Sequence, residues 1–191
     1  MDPVFDHVCF SFGEKIVFDD LSLRFSRGSA VCVTAPSGRG KTTLIRLCAG
    51  LLKPSGGRIL GFESGKKSAV FQEDRLFEHM TAEKNVMLCA RRGFTRDDVR
   101  SLLAALGITD RETAAPIMTF SGGMRRRVAI ARALAADFEL LLLDEPFAGL
   151  DADNRRRAAA LIRDCRARRM LICATHDECD AELLDATLMR I

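Results

Sequence analysis

The chain has 191 residues, 48% hydrophobic and 29% charged, with a net charge of +3; that is enough for one sizeable core and too little for two independent domains. It has no low-complexity tract, no apolar run near the roughly 18 residues a membrane-spanning helix needs, and no basic-then-apolar leader in its opening "MDPVFDHVCF". A soluble, ordered, cytosolic protein is the expectation. Seven cysteines, an odd number without a C-x-x-C pair, imply no disulfide framework, and their places in apolar runs predict buried thiols in a reducing compartment.

In chain order, "VFDHVCFSFG" and "LSLRFSRG" alternate apolar and polar residues and predict antiparallel strands ahead of the main sheet. Three nearly continuous apolar runs follow, "AVCVTA" (30–35), "LLLLDE" (140–145) and "LICATH" (171–176), and such runs predict strands buried on both faces of a parallel sheet. After the first run a helix is predicted from near Gly40 to Leu52, with Leu44, Leu47, Cys48, Leu51 and Leu52 as its buried stripe and "KPSGG" as its stop. From about Glu73 to Phe120 the pattern is helical, in "AEKNVMLCARR" and "TRDDVRSLLAALG", with no strong strand. This predicts an α/β fold: a core of about residues 1–72 and 137–191 with a helical subdomain inserted at about 73–136. The sequence ends after a last apolar run, "ATLMRI", and an appended regulatory domain is not expected.

Arginines gather in "MRRRVAIAR", "NRRR" and "RDCRARR", which raises a nucleic-acid partner. In residues 153–168, however, Ala158, Leu161, Ile162 and Cys165 fall on one helical face, so most of the arginines there are expected on the solvated side.

In an open parallel sheet, ligands sit beyond the carboxyl ends of the strands, where loops and helix amino termini converge. All three buried runs end there in polar residues: Ser37, Gly38, Arg39, Gly40, Lys41, Thr42 and Thr43; then Asp144 and Glu145; then Thr175, His176 and Asp177. Backbone N–H groups from Gly38 to Thr42 would form a nest around phosphate oxygens at a helix N-terminus. Lys41 adds a full charge for the outer phosphates, and the Thr42 hydroxyl is placed to coordinate Mg²⁺. A turn that merely joins strand to helix would not need Lys41 followed by two threonines. An acidic residue at the tip of a buried strand is costly unless a cation meets it. Asp144 is therefore expected to hold Mg²⁺, and Glu145 to act as general base on an attacking water; the alternative is an acidic pair that starts the next helix with Pro146. His176 is placed to hydrogen-bond a γ-phosphate and orient the water, the alternative being a half-buried polar residue. "CATHDEC" also brings Cys173, His176 and Cys179 three residues apart, but Cys173 belongs to a strand pattern and a metal site there lacks an evident fourth ligand.

With these motifs in this order, the chain resembles an ATP-binding cassette (ABC) ATPase, the cytosolic nucleotide-binding subunit of an ABC transporter, along almost its entire length. "APSGRGKTT" corresponds to Walker A, Gln72 in "VFQED" to the Q-loop, "FSGGM" (120–124) to the family signature, "LLLLDEP" to Walker B, "AGLD" (148–151) with Asp151 to the D-loop, and "THD" to the switch histidine. The resemblance implies a P-loop NTPase fold with a RecA-like core, a Mg²⁺-dependent ATPase, and head-to-tail pairing of two cassettes. ATP on Walker A of one copy would be covered by Ser121, Gly122 and Gly123 of the other. It further implies that Phe12 stacks on adenine (the alternative is a core strand residue), that Gln72 contacts Mg²⁺ or water, and that permease subunits hold the protein at the inner face of the membrane.

"FQEDRL…NV", "SGGMRRRVAIARAL" and "DEPFAGLD" resemble the uptake subfamily for nitrate, sulfonate, taurine and related solutes, which implies an extracytoplasmic solute-binding protein in the same system and no nucleic acid. Phe77, Glu78 and His79 stand where relatives often carry Leu-Pro-Trp, and Phe77 and Met80 are expected to line the groove for the permease, or else to be ordinary core. Phe120 and Met124 replace the signature's usual leucine and glutamine without touching its serine and backbone contacts. The short carboxyl end implies no tail-based regulation. A nucleic-acid-associated cassette and a non-hydrolysing nucleotide scaffold are the other readings; the first lacks the usual long insertions, and Lys41, Asp144, Glu145 and His176 speak against the second. Ala35 departs from the glycine that opens G-x-x-x-x-G-K-[ST]. It closes a buried strand, where φ is expected to be negative and alanine fits as well as glycine.

Overall fold

A computed structural model describes residues 1–36, 38–63, 65–167 and 169–191. β1 (Val4–Phe12) and β2 (Lys15–Arg24) form an antiparallel hairpin in which Phe12 pairs with Lys15 across a tight turn, and Gly13 takes φ 57° there. β4 (Gly56–Leu60) pairs with the other edge of β1, giving a three-stranded sheet in the order β2-β1-β4.

The second sheet is parallel and five-stranded, in the order β5-β6-β7-β3-β8. Its strands are β3 (Ala30–Thr34), β5 (Lys67–Val70), β6 (Leu140–Asp144), β7 (Met170–Thr175) and β8 (Thr187–Arg190). Every residue of β3, β6 and β7 is buried. The side-chain alternation of a strand explains why these runs are apolar throughout. Val31, Val33, Leu140, Leu142, Ile172 and Ala174 face one core, shared with α1 (Lys41–Ala49) and the antiparallel sheet. Cys32, Leu141, Leu143, Leu171 and Cys173 face another, shared with α5 (Gly122–Ala135) and α6 (Ala152–Arg166). At about 1.5–3 kcal/mol per fully buried large aliphatic side chain, the two-sided burial of this sheet is the main driving term for the fold.

Between β5 and β6 the chain is helical: α2 (Ala82–Met87), α3 (Arg96–Ala105), a short α4 (Asp110–Thr113), a 3₁₀ turn (Ile117–Thr119) and α5. Thr95 and Thr109 close capping boxes with Asp98 and Glu112, so each helix start is written in a T-x-x-D/E spacing. α7 (Cys179–Leu183) lies between β7 and β8.

Three expectations need correction. The first helix ends at Ala49, because Gly50 takes φ 78° and its N–H caps the carbonyls of Arg46 and Leu47. Leu51, read as part of the buried stripe, is therefore 58% exposed. β4 and β5 were not predicted: both are short, and their glycine, lysine and serine content hides the strand pattern. Only Cys32, Cys48 and Cys173 are buried thiols; Cys89 and Cys179 are exposed.

Candidate functional site

The carboxyl ends of β3 and β6 open onto one cleft of about 290 Å³, walled by Phe12, Lys15, Val17, Gly38, Gly40, Lys41, Thr42, Thr43, Gln72, Asp144 and Glu145; His176, at the end of β7, does not line it and meets it only through Glu145. A second cavity of about 270 Å³ opens at the amino ends of the same strands, near Phe62, Phe138 and Met170. Arg27, Glu139 and Arg169 also line it, but the glycine loop and the N-terminus of α1 open onto the first cleft, so the phosphate chemistry is expected there.

The loop after β3 delivers its glycines in the left-handed region, Gly38 at φ 80° and Gly40 at φ 95°, with Gly40 as N-cap of α1. A Cβ on Gly40 would come within 2.6 Å of Val17 Cγ1 and 2.8 Å of the Phe18 ring, so only glycine fits; one on Gly38 would meet no atom within 4 Å. Lys41 is buried at the first turn of α1, and its Nζ donates to the Ala35 carbonyl at 2.7 Å. Arg39 is exposed and does not wall the cleft. Ser37 lies outside the described residues.

Ala35 does not enter the positive-φ region. Its contribution to the loop is a carbonyl that glycine would present equally well. Ala35→Gly is accordingly expected to leave ATP affinity nearly unchanged in a nucleotide titration. A gain well beyond roughly thirtyfold, the most a left-handed alanine penalty of about 1–2 kcal/mol would account for, would contradict this.

At the end of β6, Asp144 is 1% exposed and neither carboxylate oxygen accepts a well-aligned hydrogen bond. Burial pushes its carboxyl above the usual carboxylate range; the nearby Thr42 hydroxyl tempers that shift and Glu145 adds to it. An orphaned buried carboxylate beside a hydroxyl, facing a cleft, is a donor set that fits a hard divalent cation. Glu145 takes φ 51°, uncommon for a residue with a side chain, and its N–H donates to the Ala174 carbonyl at 2.8 Å. The turn sends Glu145 in a different direction from Asp144, so that its Oε2 sits 2.7 Å from His176 Nδ1 at the end of β7. The acidic pair therefore does not cap a helix: the next one, α6, starts at Ala152 with Asp151 as its N-cap, accepting from the Asn154 N–H at 2.8 Å.

Phe12, at the end of β1, is 49% exposed and packs edge-to-face on Phe10, with ring centroids 4.9 Å apart. It is a cleft wall and not a core residue. Gln72, two residues beyond β5, reaches the same cleft. Ser121, Gly122, Gly123 and Asp151 do not line it. Ser121 is the exposed N-cap of α5 and accepts from the Met124 N–H at 3.3 Å, and the Gly123 backbone packs against the Gly149 carbonyl. Sequence reasoning missed Lys15 and Val17 in the cleft wall; the short F-G-E-K turn, which folds Lys15 back opposite Phe12, was the available signal.

The arginines of α5 turn inward. Arg126 is buried and Arg127 and Arg132 are partly so, and all three donate to backbone carbonyls. In α6, Arg155 grips Asp177 and Asp180, at 2.6 and 2.9 Å, while Arg156, Arg157 and Arg163 are exposed.

The family model described as "ABC transporter" matches residues 18–148. The chain is 43% identical over 183 residues to the aliphatic sulfonates import ATP-binding protein SsuB 3 of Rhodococcus jostii, covering 94% of this chain and 67% of that protein. It is 43% identical over 171 residues to the aliphatic sulfonates import ATP-binding protein SsuB 1 of Nocardia farcinica, covering 87% and 68%. Among solved structures, a bacterial ABC exporter with ATP bound aligns at TM-score 0.86 and 25% identity, covering 100% of this chain and 36% of that one. A dimeric ATP-binding cassette in a post-hydrolysis state, bound to ADP and Pi, aligns at TM-score 0.82 and 26% identity, covering 95% and 90%. The chain thus spans about two thirds of the length of these curated relatives.

Proposed function

This chain belongs to the ABC transporter family as an ATP-binding cassette, and from that premise we propose that it binds and hydrolyses Mg²⁺-ATP to power solute uptake through partner membrane proteins. The observation that carries the reading is the convergence of the phosphate loop, the orphaned Asp144 carboxylate and the His176-held Glu145 carboxylate on one cleft. Phe12 stacks on the adenine. The N–H groups of Gly38 to Thr43 and the Lys41 ammonium take the phosphates, Lys41 exchanging the Ala35 carbonyl for phosphate oxygens. Asp144 and the Thr42 hydroxyl, with Gln72 on the facing wall, would hold Mg²⁺, which when bound offsets phosphate charge and orients the terminal phosphoryl group. Glu145 accepts the proton of the attacking water, and His176 fixes the carboxylate on one side.

The cleft is open, and Ser121, Gly122 and Gly123 lie outside it on the N-terminal turn of α5. A second copy placed head to tail would bring its Ser121 hydroxyl and these N–H groups over the phosphates, with Asp151 at the seam. ATP then acts as the glue of the dimer. Residues about 73–136 form the helical subdomain in this reading. It offers Phe77, 57% exposed although its backbone is pinned at both N–H and C=O by buried Asn85, together with Met80, as the permease-facing surface.

No helix among the described residues is long and apolar enough to cross a membrane. Attachment to the cytoplasmic face is therefore assigned to permease subunits. The sulfonate importers among the relatives point to a small oxyanion as solute and to an extracytoplasmic solute-binding protein upstream. Arg126, Arg127 and Arg132 of α5 donate to carbonyls of the same chain, which weighs against that cluster as a nucleic-acid surface.

The test is Mg²⁺-dependent phosphate release by the purified chain, followed by crosslinking in membranes. Hydrolysis that stops on Mg²⁺ chelation is expected, as are adducts between a permease and cysteines placed by Phe77→Cys or Met80→Cys. Absence of hydrolysis sinks the enzymatic reading; crosslinks that never reach a membrane partner sink the docking surface.

A further inference from the structure

The segment after β5 carries Gln72 into the cleft, yet it belongs to no helix or strand, and Arg75 within it sits at φ 48°. Such a segment holds one course only if its polar backbone groups are satisfied from elsewhere. Two side chains of one helix supply that. Arg126 of α5, 5% exposed, donates from Nη1 to the Phe71 carbonyl at 2.6 Å and from Nη2 to the Gln72 carbonyl at 2.7 Å. Arg132, further along the same helix, donates to the Asp74 and Arg75 carbonyls, both at 2.8 Å.

The buried charge of Arg126 is met by Asp74, with Nη1 3.1 Å from Oδ1. This is a charge contact without hydrogen-bond alignment, since that oxygen has no hydrogen-bond partner. Burial raises the Asp74 carboxyl above the usual range, while Arg126, Arg132 and Arg125 pull it down. A guanidinium buried only to fill space would be expensive. Its planar fork instead spans two successive carbonyls, which a single ammonium cannot do.

We propose that Arg126, neutralised by Asp74, is a positioning residue for Gln72: it fixes the Gln72 main chain to the helix that begins at Ser121, so that the side chain stays on the nucleotide cleft. The kinetic consequence rests on the ATPase reading above. The clamp also ties the segment that senses the nucleotide in this copy to the helix whose N-terminus would cover the nucleotide of the partner copy. A shift of one is transmitted to the other through four N–H···O=C bonds.

Arg126→Lys keeps the charge and removes the fork. Turnover is expected to fall roughly ten- to hundredfold, the scale of a misplacement near 1 Å, with the KM for ATP little changed because the phosphate loop is untouched. Gln72→Ala should reduce turnover comparably, and the double variant should fall no further than the slower single one, since Arg126 acts through Gln72. Factors that multiply in the double variant would overturn the proposal, as would a rise in KM with unchanged turnover.

A nucleotide-free readout stands beside the kinetics: tryptic cleavage after exposed Arg75 should quicken in Arg126→Lys while cleavage after exposed Arg92 does not. Equal rates at Arg75 in wild type and variant would dismiss the clamp. If the wild-type chain did not hydrolyse ATP, the functional reading would fail, and the cleavage comparison would still decide the clamp. Should Arg126→Lys fail to fold, Arg126→Gln, which buries no unpaired cation, takes its place in the same measurements.

Discussion

Glu145→Gln is expected to slow ATP turnover by roughly 10²–10⁴, the usual contribution of a general base, while ATP still binds. The geometry separates the two functions. In the proposed reading nucleotide affinity would come from the glycine loop, Lys41 and Phe12, whereas Glu145, on the same cleft, holds its carboxylate 2.7 Å from His176. The positive φ of 51° is a local strain held by the Glu145 N–H bond to Ala174 and by the buried Asp144 before it. Glutamine has the same size and suffers the same backbone cost, so the fold should tolerate it. It retains an oxygen to meet His176 but accepts no proton from water. Steady-state phosphate release should collapse, nucleotide titration should give an affinity close to wild type, and ATP should accumulate a dimer that wild type consumes. Unchanged turnover would remove Glu145 from the mechanism.

How far the sequence disclosed this site depended on whether the relevant pattern was local. The phosphate loop, the Asp144-Glu145 pair and His176 each sit within a few residues of a continuous apolar run, and the two-sided burial of β3, β6 and β7 makes such runs conspicuous. Their proximity follows from parallel pairing, in which adjacent strands place their carboxyl ends side by side; the loop and the acidic pair line one cleft and His176 meets it through Glu145. What stayed hidden is non-local or short. β5 has four residues and is held by β6 and by the Ser68 hydroxyl bond to Ala133, which no window of sequence displays.

The arginines of "MRRRVAIAR" are the clearest case. A helical wheel distributes them by periodicity alone, and it cannot show that the carbonyls of residues 71–75 lie within reach of two of them. Long side chains on a half-buried face find backbone partners as readily as water. The extra turn predicted for α1 failed for a different reason: Gly50 in a left-handed conformation ends the helix, and the leucines after it merely continue its spacing.

The largest loss of nucleotide binding from a single methyl group is expected at Gly40. Gly40→Ala combines two costs. A left-handed alanine costs about 1–2 kcal/mol, and the new Cβ would lie 2.6 Å from Val17 Cγ1 and 2.8 Å from two atoms of Phe18, a buried ring in the core beneath the antiparallel sheet. Forcing a methylene into such packing adds about 1–3 kcal/mol. If the sum of about 2–5 kcal/mol falls on the binding-competent loop, affinity drops by roughly 30-fold to several-thousandfold.

Gly38→Ala separates the two terms. Its φ of 80° carries the same conformational cost, but its Cβ meets no atom within 4 Å, so about 1–2 kcal/mol, or roughly five- to thirtyfold, is expected. Thermal melts with and without ATP, beside a nucleotide titration, distinguish a global loss of stability from a local loss of the loop. Equal affinities for the two variants would mean that Val17 and Phe18 yield without cost. With Ala35→Gly nearly silent, the series would rank the loop positions by what surrounds them: open backbone at Ala35, strain alone at Gly38, and strain against a packed wall at Gly40. Val17 belongs both to that wall and to the cleft. If Phe12 meets the base as proposed, the same hairpin would also set how closely the loop is held around the phosphates.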